Sequence, residues 1–566
     1  MLLSNMELLA TAPGGVAKLR ELILTLAVQG KLVPQDPADE PASLLLQRLA
    51  SQRATSFAKM SKREQESASV TAPYVLPQSW EWVRLGDVVE NMGSGWSPAC
   101  EEGARTDPQK WAVLRTTAVQ LNEYRPDEHK VIPSKLTPRP EIEVKNGDVL
   151  ITRAGPLNRV GISCWVNDTP PRLMLSDKIV RLHAIGDELL PAFIVLALNA
   201  GWTKSQIEVA KTGMAASQVN ISQADLKALV LPVCSKAEQS RIVTRVEALM
   251  RLCDALEAKG QLEAAQHAQL VSTLLGTLTA STTPEELAAH WQRVAQHFDL
   301  LLDRPEAIDA LEQTLLQLAV RGLLVPQDPT DEPASALLQK IRTEKDRLIA
   351  AGQIKRDKPL PPITDEEKPF ELPQGWEWVR FGEIAGIERG GSPRPIEAFL
   401  TDDPEGLNWI KIGDTEKGGK YITSAGQKIK REGLVKTRMV FPGDFLLTNS
   451  MSFGRPYITQ IQGCIHDGWL RISPSESLDK DFLYTLLSSR FVRNVFEAAA
   501  AGGVVLNLNA DKVRTVPIPL PPLAEQSRIV TRVEALMRLC ADLRQRLADR
   551  QSVQARLAEA LVQEVA

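Results

Sequence analysis

The sequence predicts an α+β chain: two mixed α/β modules joined by long antiparallel coiled-coil helices, with an internal pseudo-two-fold repeat. Three observations carry that expectation. First, segments recur at near-constant spacing. Ala237 to Cys253 and Ala524 to Cys540 both read AEQSRIVTRVEALMRLC, LPQSWEWVR at Leu76 returns as LPQGWEWVR at Leu372, and VPQDPADEPAS at Val33 returns as VPQDPTDEPAS at Val325. Self-similarity at a fixed period marks a duplicated structural unit. Second, the duplicated helix carries a heptad: Ile529, Val533, Leu536, Cys540, Leu543 and Leu547 are spaced 4-3-4-3-4, the seam that a helix turns toward a partner. Third, strand-like runs bounded by turn residues fill the stretches between the framing segments.

In chain order, Leu22 to Val28 is helical and Gly30 stops it. The VPQDP turn follows, and Pro41 opens a short helix. Ser61 to Pro77, Pro-rich and charged, reads as a linker. The first module spans about Tyr74 to Pro232, with Val149-Leu150-Ile151 as a strand after the turn Asn146-Gly147-Asp148 and Leu189 to Leu198 as a short buried helix. The first AEQSRIV helix repeats the seam at Ile242, Val246, Leu249, Cys253 and Leu256, with Ser235 and Glu238 as a capping box. Running to about Thr279, it would be roughly 60 Å long. Thr283-Pro284-Glu285-Glu286 starts a new helix, Ala307 to Val320 is another with Gly322 as its stop, and Pro333 opens a third. Lys358 to Pro373 reads as the second linker.

The second module, about Phe370 to Pro519, has Phe445-Leu446-Leu447 after Pro442-Gly443-Asp444 and a buried helix at Phe482 to Leu487. Pro522 stands where Ser235 would, so the cap is not shared. The expected divisions are 1–73, 74–232, 233–369, 370–519 and 520–566. The middle holds fused the two helical elements that the ends hold separately. If the ends meet, the chain closes into a ring.

Composition narrows the class. With 43% hydrophobic and 24% charged residues the 566-residue chain is globular and multidomain. No apolar run approaches the roughly 20 residues of a membrane span, and Met1 to Glu7 lacks the basic start and apolar core of a signal peptide. Cys100, Cys164, Cys234, Cys253, Cys464 and Cys540 form no Cys-x-x-Cys pair, as expected of reduced thiols in a cytoplasmic protein. A net charge of -4 argues against a broad basic face but not against a DNA reader with its positive charge on one surface.

Several of these residues resemble one family, the specificity (S) subunits of type I restriction–modification enzymes. LPQSWEWVRLGDV at Leu76, LPQGWEWVRFGEI at Leu372, the Pro-Leu-Pro-Pro-Leu-Ala-Glu-Gln run from Pro519 to Gln526, and the Gly-Asp strands Asn146 to Leu150 and Pro442 to Leu446 carry the resemblance, which covers nearly the whole chain. It implies that each module is a target recognition domain reading one part of a bipartite, asymmetric double-stranded DNA site. The helices would be a coiled-coil spacer and would dock two methyltransferase (M) subunits, with motor and nuclease (R) subunits completing the complex. The chain itself would perform no chemistry and bind no cofactor; S-adenosylmethionine, ATP and Mg would belong to the partners. Pro232-Val233-Cys234-Ser235-Lys236 departs from the family's Pro-Pro-Leu run, which leaves open how the chain enters the central helix.

A DNA reader needs phosphate contacts for position and a few base-edge contacts for sequence, with Arg and Lys suited to guanine and Asn and Gln to adenine. The loop after the Gly-Asp strand offers Thr152, Arg153, Asn158 and Arg159 in the first module and Thr448, Asn449, Ser450 and Arg455 in the second. Thr152 aligns with Thr448 and Arg159 with Arg455, suiting shared phosphate contacts, while Arg153 opposite Asn449 suits different base reading. A later polar stretch offers Lys211, Thr212, Gly213, Ser217, Gln218 and Asn220, and Gly502, Gly503, Asn507 and Asn509. Its small residues let backbone approach a phosphate; the plainer reading is a turn before a strand. Trp80, Trp82, Trp376 and Trp378 read as core or domain-seating residues.

Other chemistries find little support. There is no Gly-x-x-x-x-Gly-Lys-Ser/Thr loop for ATP and no methyltransferase Asn-Pro-Pro-Tyr motif. His290 and His297 lack metal spacing, and the nuclease-like set Asp127, Glu143 and Lys145 has no counterpart in the second copy. The competing functions are a stand-alone nuclease or methylase and a protein-only coiled-coil scaffold.

Overall fold

The computed structural model describes residues 12–56, 74–101, 103, 105, 107–356, 358–416, 418–449, 453–500 and 508–565. They form two units, Met1–Leu262 with Gln551–Ala566, and Glu263–Arg550.

The first unit opens with α1 (Gly15–Val28), which buries Leu19, Leu22, Ile23, Leu26 and Ala27, one face of a helix. Gly30, at φ 70°, ends it, and a Cβ there would lie 2.6 Å from Pro77, so only glycine lets the later segment pack so close. After α2 (Ala42–Ser56) comes β1 (Glu81–Arg84). The module then builds β2 (Val89–Ser94), β3 (Val149–Thr152), β4 (Ala154–Gly155), β5 (Ser163–Trp165) and β6 (Ile179–Ala184). An antiparallel sheet has the order β2-β6-β3-β5. Buried α3 (Pro191–Asn199) and then α4 (Gly201–Ala210) follow, then a hairpin of β7 (Thr212–Ala215) and β8 (Gln218–Asn220). The return strand β9 (Val230–Val233) pairs with β1, Glu81 opposite Val233 and Arg84 opposite Val230. Entry and exit of the module are therefore neighbours in one ladder.

From β9 the chain runs straight into α5 (Lys236–Ala280), 45 residues long, about 67 Å at 1.5 Å per residue. Its seam residues Ile242, Val246 and Cys253 are buried in the same core as α1, as is Ala558 from the C-terminal helix. Lys18 pairs with Glu559 at 3.2 Å and Arg20 with Asp254 at 2.6 Å.

A clamp fixes the start of α5. The Trp80 indole N–H donates to Glu238 Oε2 at 3.0 Å and Gln35 Nε2 to Glu238 Oε1 at 2.5 Å. Arg241 pairs with Asp39 of the VPQDP turn. The expected capping box is half formed. Ser235 Oγ accepts from Glu238 N at 3.0 Å, but the Glu238 carboxylate is taken by Trp80 and Gln35 instead of reaching back.

The second unit repeats these contacts within itself. The end of α5 buries Val271, Leu275 and Leu278. α6 (Pro284–Gln296) begins at Thr283, whose hydroxyl accepts from Glu286 N at 3.2 Å. Then come α7 (Pro305–Val320), α8 (Ala334–Ala350) and β10 (Glu377–Arg380). A five-stranded sheet is built from β11 (Ala385–Arg389), β12 (Tyr421–Ile422), β13 (Phe445–Thr448), β14 (Pro456–Thr459) and β15 (Trp469–Pro474), in the order β11-β15-β13-β14-β12. α9 (Lys480–Ser488) and α10 (Arg490–Ala500) cover it, and β16 (Pro517–Leu520) pairs with β10 before α11 (Leu523–Val565) begins. Trp376 donates to Glu525 at 2.9 Å, Arg528 pairs with Asp331, and Arg544 with Asp309 at 2.7 Å.

The stretch Lys358 to Pro373, expected to be a free linker, is instead tied to the module. Arg380 is 3% exposed, and a buried guanidinium must be given acceptors. It donates to Pro361 O at 3.0 Å, Pro362 O at 2.7 Å and both oxygens of Glu367 at 2.7 Å. Most of the first expected linker lies outside the described residues.

Two outcomes follow. Trp80→Phe or Trp376→Phe leaves a buried carboxylate without its indole donor, and chemical denaturation should show a loss of about 1–3 kcal/mol for each. The Arg380 guanidinium holds the Glu367 carboxyl at about 2. Its folded value is depressed, so the stabilisation is present above the ordinary carboxylate range and is lost as pH falls from about 4.5 toward 2. Amide exchange of residues 359–373, followed across that window, should rise before the β13 core opens.

Candidate nucleic-acid interface

The end of β3 positions the first loop. Thr152 N donates to Ile162 O at 3.0 Å and Gly161 N to Thr152 O at 2.8 Å, so residues 153–160 project as a closed loop. β4 pairs with β8, Gly155 opposite Val219 and Ala154 opposite Asn220. Leu157 N donates to Ala216 O, and Ile221 N to Arg153 O, both at 2.8 Å. The two stretches proposed from sequence thus form one surface in the first unit. The polar stretch is a β-hairpin, and Asn158, Thr212, Gly213, Ser217, Gln218 and Asn220 are exposed on it or beside it.

Individual roles need revision. Thr152 is fully buried and its hydroxyl serves the Arg159 and Ile162 carbonyls. Arg159 turns inward, donating to Gln120 Oε1 at 2.9 Å, Thr116 O at 2.8 Å and Val119 O at 2.7 Å, and so braces the loop. Lys211 is held by Glu208 and by Leu157 O at 3.1 Å. Gly213 is small for its own hairpin, since a Cβ would lie 2.4 Å from Gln218 O.

In the second unit Thr448 is fully buried and its hydroxyl accepts from Arg455 N at 2.9 Å. Asn449, 1% exposed, donates to Asp467 O at 2.8 Å, which leaves it no surface for a base. Asn509 caps a short helix by accepting from Lys512 N at 2.8 Å. Ser450, Gly502, Gly503 and Asn507 lie outside the described residues. The alignment of Arg159 with Arg455 also fails. Thr448 N donates to Arg455 O and Gly454 N to Thr448 O, so Arg455 occupies the place of Ile162. The second loop is shorter, and the count slipped across it.

One feature escaped the sequence reading. Gly95-Trp96-Ser97-Pro98 recurs as Gly390-Gly391-Ser392-Pro393. In the first unit Ser97 Oγ hydrogen-bonds Asp177 Oδ1 and accepts from Asp177 N at 3.2 Å. In the second, Ser392 Oγ donates to Asp467 Oδ1 at 2.8 Å and accepts from Asp467 N at 3.3 Å. Each clasp is tied to the end of the Gly-Asp strand, through Arg153 N to Lys178 O at 2.8 Å and Asn449 N to Gly468 O at 3.0 Å. Arg394 reaches Asp467 at 3.4 Å, and Arg139 stacks on Trp96 at 4.3 Å. Cations therefore border both clasps. The recurring Gly-x-Ser-Pro was a usable signal.

The tryptophans seat the modules. Trp80 and Trp376 are buried in the clamps. Trp82 lies 5.0 Å from Tyr74, and Trp378 lies 5.0 Å from Phe370 and 6.1 Å from Phe491. Among the described residues no His, Cys, Asp and Glu group could hold a metal, and no helix is long and apolar enough to cross a membrane.

Two stretches of the chain, residues 77–266 and 373–550, match the family model described as the type I restriction modification DNA specificity domain. The chain belongs to that family. It is 33% identical over 572 residues to the type I restriction enzyme EcoEI specificity subunit of Escherichia coli, covering 97% of this chain and 93% of the relative. With the EcoAI specificity subunit of Escherichia coli it is 33% identical over 597 residues, again covering 97% and 93%. The HsdS subunit of Thermoanaerobacter tengcongensis, a solved structure, is 19% identical with a TM-score of 0.40, covering 87% of this chain and 98% of that one. The two matched stretches each contain one module, with its clasp, and the start of one long helix.

For this specificity-family chain, Asn449→Ala should act as a core defect. It removes a buried amide and leaves the Asp467 carbonyl without that donor, so denaturation should show a loss of about 1–3 kcal/mol. A loss of DNA affinity with unchanged stability would contradict that role.

Proposed function

We propose that the chain is the DNA sequence-specificity subunit of a type I restriction–modification complex, reading a bipartite, asymmetric site through two recognition modules. The observation that carries this reading is one frame used twice with unlike loops. Both matched stretches keep the Trp–Glu clamp, the paired entry and exit strands and the Ser–Asp clasp. The loop after the Gly-Asp strand differs in length and in residues, and that is where two half-sites would be told apart.

Partner docking is supported by the outer face of the duplicated helix. Thr244, Arg245, Ala248 and Leu252 are exposed, and so are Thr531, Arg532, Ala535 and Leu539, the same residues at the same places. Leu252 is 54% and Leu539 60% exposed. Among the described residues no contact within either unit requires such identity. Two copies of one partner, the M subunits, would require it. On this reading the long helices form the antiparallel coiled-coil spacer of a pseudo-two-fold frame. R subunits complete the complex in the cytoplasm. The chain itself is non-catalytic, and S-adenosylmethionine, ATP and Mg act in the partner subunits.

The test is an exchange of residues 85–229, which leaves β1 and β9 in place, for the same stretch of another specificity subunit. With the methyltransferase partner present, the methylated motif recovered from a randomised DNA pool should change in one half and keep the other. An unchanged motif would refute the reading, methylation by the chain alone would favour a complete enzyme, and the absence of any motif would favour a protein-only scaffold.

A further inference from the structure

We propose that Arg153 reads a guanine for the first module and that the Ser97–Asp177 clasp positions it. The assignment rests on the DNA-reading function proposed above.

The main chain of Arg153 is pinned on both sides, its N–H to Lys178 O and its carbonyl to Ile221 N, each at 2.8 Å. Its side chain is not. It is half-buried, and its Nε is shut off from solvent with no hydrogen-bond partner. Among the described residues the guanidinium meets no carboxylate and no carbonyl. Neighbouring arginines differ: Arg159 also has a buried Nε without a partner, but its two terminal nitrogens have three acceptors, and Arg181 donates to Glu143 O at 2.7 Å and faces Asp148 at 3.5 Å. A partly desolvated cation without an acceptor is costly. A fold that keeps such a group calls for a reason, and an acceptor that arrives with a ligand supplies one.

A second orphan lies on the turn before β6 that holds Arg153. Ser176 is 6% exposed, and its hydroxyl is buried without a partner. Asp177 follows, engaged by Ser97, and then Lys178, exposed. Gly95 sits so close that a Cβ would lie 1.9 Å from Leu175 O. The segment that presents Arg153 is therefore locked before any ligand binds, as specific recognition requires.

The guanidinium fork matches the O6 and N7 acceptors of guanine in the major groove. A phosphate contact would carry no sequence information and would be expected in both modules. The second module lacks it here. Asn449 at the same backbone position is turned into the core, and Gly468 replaces Lys178. A position that differs on an otherwise repeated frame is where two half-sites differ.

The test uses the full chain reconstituted with its methyltransferase partner and a randomised duplex pool, with methylated sites sequenced. The wild type should require a guanine at one position of one half-site. Arg153→Lys, which keeps the charge, and Arg153→Gln should each weaken that requirement about 10- to 100-fold. The other half-site should be unchanged, which reports that the variant is folded. Ser97→Ala should relax the same position to a smaller extent, and Ser97→Thr should restore it. A motif that keeps its guanine in Arg153→Lys would overturn the assignment. So would a half-site pair altered at no single position, with methylation lowered uniformly across sequences. A wild-type complex with no bipartite motif would overturn the DNA-reading function itself, which separates the two failures.

Discussion

A buried carboxylate at the head of each long helix is the contact on which the rest depends. Glu238 and Glu525 are each 1% exposed, and burial pushes both carboxyls above the ordinary range. Such a group is tolerated only with donors fixed around it. For Glu238 these are the Trp80 indole and the Gln35 amide; for Glu525 the indole of Trp376. One carboxylate therefore joins the helix to the strand that opens the module, and in the first unit to the VPQDP turn as well. Because β9 runs directly into α5 and β16 into α11, the tie is closed within each unit, and the module has one seat on its own helix.

Much of this frame was legible. The helix seam, the Thr283 start, the glycine stops at Gly30 and Gly322 and the Gly-Asp strands follow from periodicity and from local chemistry at helix ends. The capping box was only half legible. Spacing shows that Glu238 lies three residues from Ser235, but not that a tryptophan some 160 residues upstream competes for it. The linker at Lys358 to Pro373 misled for a related reason. Its composition is that of a free segment, and the guanidinium that binds it comes from Arg380, beyond its end.

The candidate site divides the same way. Sequence proposed two loops in each module, and in the first unit the fold brings them together. It did not distinguish residues that face outward from those that build the loop. Thr152, Arg159 and Asn449 are polar, and polar residues next to a turn look available until backbone carbonyls are seen to use them. The Arg159–Arg455 pairing failed because a shorter loop shifts the register, which only the ladder bonds to Thr152 and Thr448 reveal. The Ser–Asp clasp was missed because its members lie on segments distant in sequence, although the Gly-x-Ser-Pro half of it repeats.

The pairing of β1 with β9, and of β10 with β16, has a further consequence. Antiparallel partners lie roughly 4.5–5.5 Å apart, so each module leaves its frame and returns to it at nearly one point. Whatever is spliced between those strands joins the frame covalently at the same two neighbouring strands, whatever its length. For a lineage that gains by altering its recognition, this makes inheritance combinatorial. A recombination event inside either frame exchanges one reader and spares the other. The number of distinct specificities then grows as the square of the number of readers in circulation, with no new frame to evolve.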